Sequence, residues 1–130
     1  MDERIVIVDS GTGLKLTEEQ LDERSAIAIL QLRRRGVRVG DTVLICLPVG
    51  PDLLVATDAV IAAGGVAWPV PAHLDADALG EQIRASGARV MISDLPRALE
   101  AAEETNVRIV MSVADLSTLR PVEGAGGGRA

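Results

Sequence analysis

GVRVGDTVLICLPVGPDLLVATDAVIAAGGVAWPVP, residues 36–71, decides the fold. Residues 42–47 (TVLICL) are a continuous apolar run rich in β-branched side chains, the pattern of a strand buried on both faces of a parallel sheet. Val39-Gly40-Asp41 supplies the turn into it, and Pro48 ends it. Gly50-Pro51-Asp52 opens a helix, with Pro51 in the first turn, where a missing N–H is harmless. From Leu53 to Ala63 the helix has almost no polar face, so burial nearly all round is expected. Gly64-Gly65 stops it. Residues 66–70 then make a short strand whose prolines place it at an edge or a strand end.

The flanks extend the same alternation. Residues 5–8 are a β-branched run and residues 14–16 a second apolar segment. Asp9-Ser10-Gly11-Thr12-Gly13 between them is rich in turn formers, so a β-hairpin is expected. Thr17 with Gln20 gives a capping-box pattern, and Glu18 and Glu19 put negative charge in the first turn of a helix. Leu21, Ala28 and Leu32 share its apolar side, widened by Ala26, Ile27, Ile29 and Leu30; Gly36 is its left-handed stop. Downstream, Asp75 and Asp77 open a helix that runs to about Ser86, capped by Gly87. Residues 88–93 read as a strand. Residues 95–105 read as a helix with Leu99 and Ala102 inward, and residues 107–113 as the last strand. The expected fold class is α/β: a three-layer sandwich with a mainly parallel sheet, preceded by an N-terminal β-hairpin. Residues 1–120 form one domain in this reading, and 121–130 (PVEGAGGGRA) a flexible Gly-rich tail.

Composition bounds the function. The chain has 130 residues, enough for one domain with a real core. It lacks Phe and Tyr, and Trp68 is its one aromatic residue, so that core is aliphatic. A net charge of −6 argues against general nucleic-acid affinity and against a polybasic membrane anchor. Arg33, Arg34, Arg35 and Arg38 cluster at a helix end, where cations complement the helix dipole; a phosphate-binding patch is the alternative. Cys46 is the single cysteine, which excludes an intrachain disulfide and suits a reducing compartment. The start, MDERIVIVDS, has no signal-peptide layout, and the most apolar window, residues 53–70, is broken by Asp58, Gly64, Gly65 and Pro69. A cytoplasmic location is expected, with no membrane and no nucleic-acid partner.

Motifs for chemistry are missing. A metal site needs converging His, Cys, Asp or Glu, and the one His, His73, lies far from Cys46 in sequence. His73 reads as a solvent-facing loop residue and Cys46 as a small buried hydrophobe rather than a nucleophile. Gly11-Thr12-Gly13 begins a dinucleotide fingerprint, but Leu16 stands where the third glycine belongs. There is no G-x-x-x-x-G-K-[ST] loop and no G-x-S-x-G elbow. The residues therefore nominate no catalytic, cofactor-binding or metal-binding site, and no cofactor.

Two segments carry a family resemblance: LTEEQLDERSAIAILQLRRRGVRVGDTVLICLPVGPDLLVATDAVIAAGGVAWPVP (16–71) and LGEQIRASGARVMISD (79–94). The succession resembles the N-terminal part of the adenylate-forming (AMP-dependent synthetase/ligase) superfamily: acyl-CoA synthetases, nonribosomal peptide synthetase adenylation domains and luciferases. It rests on Leu16-Thr17, Gly36-Val37, Gly40-Asp41-Thr42-Val43, Leu47-Pro48, Ala63-Gly64, Pro69 and Ser86-Gly87-Ala88-Arg89-Val90. It covers about residues 5–115. Where the family has an Asn/Asp-Pro turn after Pro69, this chain reads Val70-Pro71-Ala72-His73. The resemblance implies ATP-dependent activation of a carboxylate as an acyl-adenylate. It also implies a lysine-bearing phosphate loop, acidic and aromatic nucleotide contacts and a catalytic lysine subdomain, and none of these is found in the sequence. Lys15 is the only lysine and matches neither family lysine.

The expected function is that of a truncated, ligase-like unit. On this reading it is non-catalytic and does not bind ATP alone, and it acts through protein association, with itself or with a partner ligase. The alternative is one subunit of a split acyl-adenylating ligase, for acyl-CoA or amino-acid substrates. A remnant without a partner, and a small-ligand binder at the strand carboxyl ends, complete the alternatives.

Overall fold

The structure, a computed structural model, describes residues 5–9 and 14–117. β1 (Ile5–Asp9) and β2 (Leu14–Thr17) pair antiparallel, as a ladder separate from the main sheet. The expected hairpin turn, residues 10–13, and the tail expected over 121–130 lie outside the described residues. α1 (Glu18–Arg34) follows at once. Thr17 Oγ1 accepts the Gln20 N–H at 3.0 Å, while Gln20 Oε1 accepts the Thr17 N–H at 3.0 Å, the reciprocal box read in the sequence.

Next come β3 (Thr42–Ile45), α2 (Pro51–Ala62), β4 (Val66–Pro69), α3 (Ala76–Ser86), β5 (Val90–Ile92), α4 (Pro96–Ala101), β6 (Ile109–Met111) and α5 (Val113–Ser117). The main sheet runs β4-β3-β5-β6, every pair parallel. Side chains alternate across β3 as the pleat requires. Val43, Ile45 and Leu47 enter one aliphatic core with Ala28 and Leu32 of α1, Val55, Ala56, Ala59 and Val60 of α2, and Leu116 of α5. Leu44 and Cys46 enter the opposite core with Leu79 and Ile83 of α3 and Ala98 of α4. The sheet is thus covered on both faces, the three-layer arrangement that its unbroken apolar strands demand.

Four sequence expectations are corrected. α2 is not buried all round: Asp58, Ile61 and Ala62 are exposed. Its inner side packs on β3, β4 and α1, but no described element covers its outer flank, so hydrophobicity alone overstated its burial. On α1, Ala26 and Leu30 are exposed while Ser25 and Gln31 are buried. In α4, shorter than expected, Ala98 and Ala102 form the inward i, i+4 pair and Leu99 is exposed. Val113 leaves the sheet and starts α5, which the sequence reading missed. Its start is fixed by Ser112 and Asp115, each side chain accepting the other's N–H at 3.0 and 2.9 Å.

Candidate functional site

β4 and β5 lie on opposite sides of β3, so the connection from β4 to β5 crosses the sheet. In open parallel sheets such a switch leaves a crevice beyond the strand carboxyl ends. A cavity of about 500 Å³ opens there. Leu47, Pro48, Val49 and Gly50 bring the end of β3 to it, Asp94 and Leu95 the end of β5, and Val113 the start of α5. Leu16 and Arg24 close it from the N-terminal side. None of these groups could be assigned from sequence, because segments up to a hundred residues apart meet only in the fold.

The walls are apolar and the charges are engaged. Arg24 Nη2 donates to Asp52 Oδ1 at 2.7 Å across the rim, and Asp94 Oδ2 accepts the Val113 N–H at 3.2 Å. Cys46 sits one residue before Leu47 but points to the opposite face of the sheet, fully buried. Burial, the largest influence, pushes its thiol pKa up, against smaller lowering by the Ser93 hydroxyl and the Arg97 charge. It is a fully buried core side chain whose thiol is biased toward its protonated form. His73 lies on an exposed turn between β4 and α3, outside the cavity lining. Asp75 caps α3, accepting the Ala78 N–H at 2.8 Å. Arg97 ties this turn to α4 by donating to the Leu74 carbonyl at 2.8 Å and to the Ala72 carbonyl.

The Arg33–Arg38 cluster resolves into separate tasks. Arg33 and Arg34 occupy the last turn of α1. Arg35 reaches Asp115 at 3.4 Å and the Val110 carbonyl at 3.2 Å, and so is committed to α5 and the β6 edge of the sheet. Among the described residues no group of three or more His, Cys, Asp or Glu could hold a metal ion, and no helix is long and apolar enough to cross a membrane. A groove between α3 and α4 gathers Asp77, Glu81, Glu100, Glu103 and Glu104 around Arg84, an acidic surface without such a metal cluster. The cavity lining is mainly apolar, with Arg24, Asp52 and Asp94 as its charged members.

The elements define a parallel α/β sheet, covered on both faces, with a crevice at the strand carboxyl ends. The chain belongs to the AMP-binding enzyme family, whose model matches residues 1–128. This is the adenylate-forming family that the two sequence segments resemble. A plipastatin synthase chain of Bacillus subtilis (strain 168) is 28% identical over 80 residues, covering 62% of this chain and 3% of that protein. Malpibaldin synthetase of Mortierella alpina is 37% identical over 79 residues, covering 61% of this chain and 1% of that protein. The N-terminal subdomain of Klebsiella oxytoca NpsA superposes with a TM-score of 0.76 at 25% identity, covering 88% of this chain and 28% of that one. The chain thus spans a small share of the relatives it matches.

Proposed function

We propose that these 130 residues serve carboxylate-activating machinery as a scaffold unit, without nucleotide chemistry of their own, working by association with protein. The partner is a second copy or the catalytic part of an adenylate-forming ligase. One observation carries this reading: the outer flank of α2 exposes Ile61 and Ala62, apolar groups that a solitary unit gains nothing by showing. The engagement of Arg24, Arg35, Arg89 and Arg97 in structural bonds agrees with it, since a phosphoryl-transfer site needs cations aimed at substrate. The free thiol of Cys46 suits the cytoplasm as the working compartment.

The cavity at the strand ends favours a second reading, one subunit of a split acyl-adenylating ligase. ATP–pyrophosphate exchange tests both. The scaffold reading expects no exchange above blank from this chain with any carboxylic or amino acid, and exchange from the chain alone would overturn it. Exchange that appears only on mixing with a separately made catalytic part, and in proportion to the complex formed, would establish the split ligase.

A further inference from the structure

We propose that the turn of residues 71–74 is a strap latched by Arg97, which opens while the rest of the fold stays intact and then uncovers Cys46 and Ser93 at the carboxyl end of the sheet. This goes beyond the association reading and stands or falls apart from it.

The strap runs between two firm points. Before it, Val70 is buried and its N–H donates to the Ile45 carbonyl at 2.9 Å. After it, Asp75 caps α3 through the Ala78 N–H, and the Leu79 N–H donates to the Asp75 carbonyl at 2.9 Å. The four residues between are thinly held. Pro71 has no N–H to give. The Leu74 N–H reaches the Pro71 carbonyl at 3.4 Å, a long bond that stays within the turn. Among the described residues, the hydrogen bonds that tie this turn to another element come from Arg97, in the first turn of α4. Its Nε donates to the Leu74 carbonyl at 2.8 Å and its Nη2 to the Ala72 carbonyl. No carboxylate pairs with Arg97 among the described residues, so the latch is made of two neutral acceptors. Leu74 adds one partly buried side chain, while Pro71 and His73 are exposed. A segment with few buried contacts and one polar tether lies at the low end of local stability.

The sheet register shows what the strap covers. Ile45 lies between Pro69 of β4 and Ile92 of β5, so one residue further on Cys46 lies between Val70 and Ser93. The chain therefore leaves the sheet for the strap directly beside the thiol. Cys46, Val70 and Leu74 share one core, and Cys46 and Ser93 are both buried. The Arg97 charge acts on the Cys46 thiol as well as bonding the strap carbonyls, so one guanidinium serves both. The neighbouring turn at the end of β5 is held differently: the Ser93 N–H donates to the Met111 carbonyl at 3.0 Å, and Ser93 Oγ accepts the Leu95 N–H at 3.1 Å. Of these two turns the strap is the one free to move. Opening sets a thiol, a hydroxyl and a cation without its carbonyl acceptors at one accessible place.

Cys46 is the single cysteine, so its alkylation by iodoacetamide, read by intact mass, reports the opening. In the wild-type chain the labelling rate should hardly change over the first additions of urea, the mark of a local opening that exposes little surface. Arg97→Ala should raise the rate about tenfold or more beyond what its own urea midpoint accounts for. Arg97→Lys keeps the charge, loses the fork and should fall between. Arg108 also donates to two carbonyls, those of Thr105 and Val107, but at the amino end of β6. Arg108→Ala should shift the rate no further than its global stability dictates. Wild-type labelling that rises from the outset with the full urea slope of global unfolding would overturn the proposal, whether or not any variant folds. An Arg97→Ala rate explained wholly by lower global stability would overturn it too.

Discussion

Asp41 Oδ2 accepts the Arg38 N–H at 2.8 Å and pairs with Arg89 Nη2 at 2.7 Å, while the same guanidinium nitrogen donates to the Gly36 carbonyl at 3.2 Å. Asp41 and Arg89 come from the two segments that carry the family resemblance, and their contact clasps those segments together. Partial burial pushes the Asp41 carboxyl up, but the Arg38 N–H and the bond to and charge of Arg89 outweigh it, and its pKa lies below the usual value. Because the folded pKa is the lower one, the stabilisation is present above the unfolded value of about 3.9 and is lost as pH falls through the folded value. Asp41→Asn should therefore cost about 1 kcal/mol at pH 7. It should also flatten the fall in stability below about pH 4, as measured by urea melts across that range. An acid limb unchanged by the substitution would contradict this assignment. Ser25 shows the opposite balance. Its hydroxyl is buried on α1 with no hydrogen-bond partner among the described residues. Ser25→Ala should raise stability by about 1 kcal/mol, read as a higher urea midpoint at unchanged slope.

At the scale of elements, signals read from near neighbours survived and those that depend on a distant neighbour did not. The start of α1 was legible because Thr17 and Gln20 satisfy each other within one turn. Thr17→Ala should cost about 1 kcal/mol in a thermal or urea melt, and a loss near zero would mean that β2 fixes the helix start instead. Gly36 and Gly87, with φ of 98° and 66°, were legible as helix stops because only the left-handed region turns the chain there. The Ser112 and Asp115 pair that starts α5 was equally local, but it follows a β-branched run that reads as strand, and that stronger pattern masked it. The exposed flank of α2 could not be read, because eleven residues with hardly a polar side do not say which side lacks a neighbour. The cavity could not be read either, since Leu16, Leu47, Leu95 and Val113 converge only through the crossover topology.

At the scale of the molecule, two aliphatic cores hold the sheet between α1, α2 and α5 on one face and α3 and α4 on the other. Arg24, Arg35 and Arg89 pair with Asp52, Asp115 and Asp41 and staple the fold, while Ile61 and Val39 are exposed. On the proposed reading, such a unit serves ligase machinery through what it packs against. The most direct test is ATP–pyrophosphate exchange by this chain alone and after mixing with a separately made catalytic part of an adenylate-forming ligase. The account predicts no exchange above blank from the chain alone, and a complex on mixing. Exchange from the chain alone would contradict it.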